Sequence, residues 1–344
     1  MSQKIKTDLR IGAVLRADNS GLGTLSYDFY KHLPFSKIMI AGSTYEQFYD
    51  RYDGAPNGFI AARGIPTRDE CLEFVKDLDM LVCFETPYNW NLIKYAREQG
   101  VKTALVVMYE WTPMKDSMPE EFDLYLCPTQ LDYDTLWGNK VLIPVPVDRE
   151  KTKFIKRTGG TEFLFNNGHG GTGGRNSINE FLQALPFVES DVTFHIRSQV
   201  PFEMDFKDKR VKITMGEVPH EALWAIGDVY IHLHKFDGLS LPLQEALSAG
   251  LPILAIDREP YNTILPKEMM IPPSATGMSQ LPLRDIQTCT VAPKIIAQKI
   301  DEIAKMGSKK IEELSEKSNE LAEEFSWEKL APKYMEEFEN LCKK

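Results

Sequence analysis

Two acidic residues, Asp237 and Glu245, stand on either side of a glycine turn and the start of a helix in the stretch 227–253. An apolar strand pattern runs into Gly238. A helix begins near Leu241 with Pro242 in its first turn, where a missing N–H costs nothing. Gly250 ends that helix as the residue just past its last turn, and Pro252 precedes the next apolar run. The amides of Gly238, Leu239 and Ser240 then lack helical partners, and with the positive end of the helix dipole they form an anion site suited to a diphosphate. Carboxylates beside such a site can accept hydrogen bonds from sugar hydroxyls. Both features together fit a nucleotide-sugar. The plainer reading is an ordinary strand–turn–helix unit with an acidic start.

A second candidate follows the apolar run 163–165. Gly168, His169 and further glycines lead to Arg175 at the entrance of a helix. Glycines let a backbone approach a ligand closely, and an Arg can grip a diphosphate with two parallel hydrogen bonds. His169 reads either as a ligand contact or as a loop histidine facing solvent. A third candidate is the turn after the first strand, with Gly21 and Gly23. Ser26 stands where a dinucleotide fingerprint needs its third glycine, so the loop reads as a phosphate-closing turn or a plain tight turn. Glu85 and Glu110 end two apolar strand patterns, and either could orient an acceptor hydroxyl or act as a base. Equally, each could be a capping or ion-paired acid. His232 and His234 alternate on one strand and share a face. A metal pair needs a third and fourth ligand, none is in view, and no metal is expected.

The elements that must position these residues are legible as alternation. Strand patterns cover 9–15, 37–41, 80–84, 103–109, 124–127 and 141–145, with a helical pattern over 91–99. After prolines and a mixed-charge stretch near 144–161 the alternation restarts, with strands over 162–166, 193–196, 211–214, 229–234 and 253–256 and helices over 177–185, 220–226 and 243–249. Strand–helix alternation builds parallel sheets covered on both faces, so the fold class is α/β. The boundaries are 1–150, 151–325 and a terminal helical segment 326–344. Two doubly wound domains in tandem would face each other across a cleft, the default place for a ligand.

Composition excludes several classes. The chain has 344 residues, enough for two domains of roughly 150 residues each. Apolar residues are 43% and charged residues 26%, a globular balance. No apolar run approaches the ~18 residues of a membrane span, and the first residues do not read as a signal peptide. The 5 cysteines form no Cys-x-x-Cys pair, which fits a reducing cytoplasm and no structural zinc. A net charge of -10 argues against broad binding to a phosphate backbone.

The 227–253 stretch resembles the Glu-x7-Glu signature of family-4 retaining glycosyltransferases, enzymes of the GT-B fold. The resemblance implies that Asp237 contacts the donor sugar and Glu245 the ribose hydroxyls, with Asp in place of the family's first Glu. The family places an Arg and then a Lys on the donor phosphates. By position His169 and Arg175 stand there. The Gly21/Gly23 loop corresponds to the one that closes over the distal phosphate. Tyr109-Glu110 replaces the family's His-Asp, and His234 stands where a small hydroxyl residue is common. Residues 215–219, with Val218, resemble the loop whose backbone meets the nucleotide base. Residues 325–336 resemble the helix that crosses back onto the N-terminal domain. The implied activity is transfer from a nucleoside diphosphate sugar, UDP-sugar favoured, with retention, no metal and no further cofactor. The pattern 15–33 also resembles phage-encoded transferases, which would place the chain in a host cytoplasm. The acceptor is a saccharide, a lipid-linked sugar, or a hydroxymethylated base in DNA. For DNA, Arg51, Arg63, Arg68, Lys94, Arg97 and Lys115 are the obvious cations. A nucleotide-sugar epimerase and a non-catalytic binding module are the rival readings.

Overall fold

A computed structural model describes residues 5–55, 58–60, 64–168, 174–204 and 207–343. The chain divides into two units. Unit 1 comprises Met1–Pro146, Pro282–Arg284 and Trp327–Lys344; unit 2 comprises Val147–Leu281 and Asp285–Ser326.

In unit 1 the strands are β1 (Ile11–Leu15), β2 (Phe35–Ile40), β3 (Gly58–Ile60), β4 (Met80–Phe84), β5 (Lys102–Val106), β6 (Leu124–Cys127) and β7 (Lys140–Leu142). They form one parallel sheet in the order β3-β2-β1-β4-β5-β6-β7. The central strands β1 and β4 are short and wholly apolar because both faces are covered. Helices α1 (Gly21–His32), α2 (Arg68–Val75), α3 (Asn91–Glu98) and α4 (Gln130–Thr135) make the crossovers. Val14, Phe74, Leu81, Ile93 and Leu105 belong to a buried cluster of this unit. β5 ends at Val106, three residues short of its expected end. The Thr112 hydroxyl accepts from the Met108 amide (3.2 Å), and the amides of Trp111 and Thr112 both donate to the Met108 carbonyl, so the chain turns there. β7 stops at Leu142, two residues before Pro144, which has no N–H to give a ladder.

In unit 2, β8 (Glu162–Asn167), β9 (Thr193–Ser198), β10 (Val211–Met215), β11 (Val229–His232), β12 (Ile253–Ile256) and β13 (Met270–Ile271) pair in parallel, in the order β10-β9-β8-β11-β12-β13. Phe163 and Phe165 of β8 pack with Phe181 of α5 (Ile178–Ala184) and Phe194 of β9. Helices α6 (His220–Leu223) and α7 (Leu241–Ser248) follow β10 and β11. An antiparallel hairpin, β14 (Ala275–Gln280) and β15 (Asp285–Thr290), precedes α8 (Pro293–Ala304) and α9 (Ser308–Glu323). The last helix, α10 (Trp327–Lys343), packs in unit 1: Trp327 stacks on His32 at 4.4 Å and meets Phe29 edge-on, and the Tyr334 hydroxyl donates to the Pro144 carbonyl (3.1 Å).

Candidate active site

Each sheet reverses its winding once, between β1 and β4 in unit 1 and between β8 and β11 in unit 2. Loops leaving the two strands at such a point diverge and open a crevice at the carboxyl edge. Arg175 lies past β8; His234 and Asp237 lie past β11.

These three residues are in direct contact. The Arg175 guanidinium pairs through Nη2 with Asp237 Oδ1, donates through Nε to the Phe236 carbonyl (3.2 Å) and lies 5.3 Å over the Phe236 ring. The backbones are tied as well, Lys235 N–H to the Arg175 carbonyl at 2.7 Å. Asp237 is 2% exposed. Its Oδ2 accepts from His234 Nδ1 (2.7 Å) and from the Tyr261 hydroxyl (3.0 Å). Burial by itself would raise the Asp237 pKa; Arg175 and His234 outweigh it and hold the carboxylate well below the usual range. An ionised carboxylate only accepts, so the His234 proton sits on Nδ1. Burial, helped by Arg175 and Arg258, keeps His234 below the ordinary histidine value against the pull of Asp237. Arg258 braces the group from β12's far end: Nε donates to the His234 carbonyl (3.0 Å) and Nη2 to the Tyr261 hydroxyl (3.2 Å).

β11 ends at His232, so His234 lies just past the strand, yet the two rings stay together at 3.9 Å. His232 is wedged between the hydroxyls of Tyr230 (3.3 Å) and Tyr261 (3.0 Å), and burial pushes its pKa far down. The fold supplies the third group that the spacing lacked: ligand atoms of His232, His234 and Asp237 lie within 4.8 Å of one another. Two guanidiniums face the same cluster, and a cation would have to displace Arg175 from Asp237.

Glu245 is held elsewhere. Its Oε1 meets His220 Nε2 (3.0 Å), and its Oε2 accepts from Trp224 Nε1 (3.1 Å), so the side chain is fastened to α6 and the residue after it. Ser240 caps α7, its hydroxyl accepting from the Leu243 amide (3.4 Å); Gly238 is buried and Leu239 half-buried before it. Gly168 follows β8 with Gln199 Oε1 3.2 Å from where a Cβ would stand. His169 lies outside the described residues. Val218 is half-buried, two residues past Gly216, whose φ of +88° needs glycine.

In unit 1, Ser20 caps α1 by accepting from the Gly23 amide (3.1 Å). A Cβ on Gly23 would come 2.0 Å from the Asp18 carbonyl, whereas one on Gly21 meets nothing within 4 Å. Asp18 is fully buried. It takes Arg16 Nε (2.7 Å), the Ser43 hydroxyl (2.6 Å) and the Ser20 amide (2.9 Å), which together overcome its burial and lower its pKa. Glu85, past β4, has φ +66°, a conformation unusual for a side chain of this size. Glu110 does not end a strand: it lies in the 108–112 turn and is 4% exposed. Its charge, after burial, helps push Asp132 of α4 up to about 7. Arg284 is buried near this turn, donating to the Thr112 carbonyl (2.8 Å) with its guanidinium 4.6 Å over Tyr109.

Arg258, Tyr261, Asp132 and Arg284 were not readable as site residues. The first two stand more than 20 positions after Asp237 with no motif around them. Thr129 and Asp132 carry a capping-box spacing that could have flagged α4.

No protein-family model matches the chain, and no curated protein matches it. Solved structures resemble it. HepE (Alr3699) of Anabaena, solved with UDP-glucose, superimposes with a TM-score of 0.70 at 10% identity, covering 96% of this chain and 100% of that one. Sucrose-phosphate synthase of Thermosynechococcus elongatus gives 0.65 at 12%, covering 96% and 99%. A chain of the GtfA/B complex gives 0.59 at 13% over 80% of this chain, which spans only 61% of that longer one. At such identities the likeness establishes architecture alone: the chain is an α/β protein of the GT-B fold, with two Rossmann-like parallel-sheet units.

Proposed function

We propose that the protein is a glycosyltransferase that moves a sugar from a nucleoside diphosphate sugar, a UDP-sugar by preference, to an acceptor hydroxyl, with retention and without a metal. The observation that carries this reading is the Arg175–Asp237–His234 contact at the switch point of unit 2. HepE, of the same fold, was solved with UDP-glucose and with UDP.

The chemistry follows from the groups at this edge. The bond from the sugar's anomeric carbon to the diphosphate breaks, and the acceptor oxygen bonds to that carbon on the same face. The acceptor proton passes to the departing phosphate oxygen. Negative charge grows on the diphosphate, and Arg175 and the amides before α7 stabilise it. His234, with its proton fixed on Nδ1, offers Nε2 as an acceptor to a donor hydroxyl. Asp237 has both oxygens engaged inside the protein, so its part is to hold Arg175 and His234. Glu245, fixed by His220 and Trp224, stands one turn into α7 for the ribose. In unit 1, Glu85, just past β4, and Glu110, in the turn after β5, serve the acceptor side.

A thermal-shift panel of UDP, UDP-glucose, UDP-N-acetylglucosamine and GDP-mannose tests the donor, and mass spectrometry reads the product. UDP and a UDP-sugar should raise the melting temperature, and turnover should persist in EDTA. Arg175→Ala should lower turnover by about 10²–10³, the loss expected when one stabilising donor is removed. A fully active Arg175→Ala enzyme, or a panel that binds nothing, refutes the proposal.

A further inference from the structure

The carboxyl edge of the unit 1 sheet carries a second set of features that the donor chemistry does not use. The loop after β2 exposes Tyr45 (46%) and Tyr49 (38%), and the loop after β5 exposes Trp111 (41%) and Met114 (44%). Both strands run parallel to β1 and β4, so both loops leave the sheet at the same edge. β2 and β5 are three strand spacings apart, roughly 15 Å. The edge between them is not open. Asp18 reaches the β2 loop through Ser43 (2.6 Å), Arg16 reaches the β4 loop through the Tyr88 hydroxyl (3.5 Å), and Glu85 follows β4 directly. The pattern is an aromatic platform at each end, with the partly exposed Glu85 between them beside the buried Asp18 and its Arg16 partner.

Exposed rings serve nucleic acid and carbohydrate alike, and charge separates the two. A polynucleotide site needs a cationic groove beside its rings. Here the Arg16 guanidinium is spent on Asp18, and Arg51 donates to the Asp18 carbonyl and to Asn19. Arg97, paired with Glu120 at 2.9 Å, ends α3 just before β5 begins and so lies at the opposite edge. In the β2–β3 loop Glu46, Asp50 and Asp53 are exposed; in the β5–β6 loop Asp116 offsets Lys115; and Asp69 follows the exposed Arg68. Among the described residues this edge is acidic. Phosphates would be repelled, whereas a neutral sugar offers C–H faces to the rings and hydroxyls to the carboxylates.

We infer that the acceptor is an uncharged saccharide of more than one sugar residue, lying along the carboxyl edge of the unit 1 sheet from Tyr45 and Tyr49 to Trp111 and Met114. The inference rests on the glycosyltransferase reading. The span between the platforms exceeds a single pyranose ring, so a monosaccharide fills only one of them.

The test uses the full chain with its UDP-sugar on a glycan array, beside duplex DNA bearing 5-hydroxymethylcytosine. The variants are Trp111→Ala and the pair Tyr45→Ala/Tyr49→Ala, all at exposed positions. The expected result is retention and glycosylation of neutral oligosaccharides. Trp111→Ala, which removes one stacking ring, should raise the acceptor KM about tenfold, and the tyrosine pair, which removes two, at least as much. The donor KM should not change. Three results overturn the inference: a UDP-sugar that binds while no neutral glycan is retained, transfer to the DNA, or variants with an unchanged acceptor KM. A wild-type chain that binds no nucleotide-sugar instead refutes the glycosyltransferase reading, and the thermal-shift panel separates that case.

Discussion

Asp237→Asn is the sharpest test of how the unit 2 site is built. The native carboxylate accepts from three donors: Arg175 on Oδ1, and His234 Nδ1 and the Tyr261 hydroxyl on Oδ2. An amide has one acceptor and one donor face. If its oxygen serves Arg175, its NH₂ confronts His234 and Tyr261. The imidazole must then move its proton to Nε2, and Tyr261 loses its acceptor. Breaking a buried ion pair costs about 3–5 kcal/mol, and the retained oxygen puts this case near the low end, about 3 kcal/mol. For a unit of this size that lowers the melting temperature by roughly 6–12 °C. The pH dependence gives a second handle. The folded Asp237 pKa is depressed, so its stabilisation is present above the unfolded value near 3.9 and is lost as pH falls through the folded value. His234 is depressed too, and without Asp237 it falls further. The variant therefore loses more stability than wild type as pH drops below about 6.5. The gap in melting temperature should be widest between about pH 4 and 6 and close below pH 4. Activity should drop by orders of magnitude even where the variant is folded, because Nε2 no longer accepts. Differential scanning calorimetry across pH with ¹⁵N NMR of the His234 tautomer reads both effects. A variant that melts within about 1 °C of wild type, or that keeps His234 protonated on Nδ1, refutes this account.

Gly23→Ala should be strongly destabilising in thermal melts, because its Cβ would stand 2.0 Å from the Asp18 carbonyl in a loop fixed by Arg16 and Ser43. Gly21→Ala should melt at or slightly above wild type, since its Cβ meets nothing within 4 Å; if its turnover also stays unchanged, no ligand approaches that loop. Asp132 has its pKa raised to about 7 by burial and by Glu110. A raised acid is a cost above its unfolded value, growing as pH rises toward the folded value. Asp132→Asn should therefore melt higher than wild type at pH 8, with the difference vanishing toward pH 4. An Asp132 carboxyl that titrates near 4 by ¹³C NMR refutes it.

The parts of this fold that alternate by short-range rule were readable. Strand runs such as residues 80–84 and 253–256, and the turn, helix and Gly250 stop around α7, appear where periodicity and punctuation place them. Gly250 has φ +79° and leaves no room for a Cβ beside Phe154 and the Ile155 carbonyl. Elements whose signals are weak or non-local were not readable. β3 has three residues, and α2 announces itself only through the Thr67–Glu70 capping box. The β14–β15 hairpin is largely exposed, with no apolar alternation to mark it. Glu110 was misplaced because an apolar run does not show where a ladder stops; a side-chain hydroxyl, Thr112, ended it.

The candidate site divides the same way: spacing picks out the segment 237–245, but not what its two acids touch. The eight positions from Asp237 to Glu245 are set by a turn and a helix, so they can be counted. What each carboxylate touches is set by strand order. β8 and β11 become neighbours only when the sheet forms, and that pairing brings Arg175 onto Asp237 across 62 positions of chain. The sequence shows two acids at helical spacing. The sheet turns one into a buried hub for Arg175, His234 and Tyr261 and leaves the other tied to His220 and Trp224. Among the described residues, His234, Arg175, Glu245 and the turn before α7 then remain to meet a ligand directly, so substitutions at Asp237 should act on activity through Arg175 and His234.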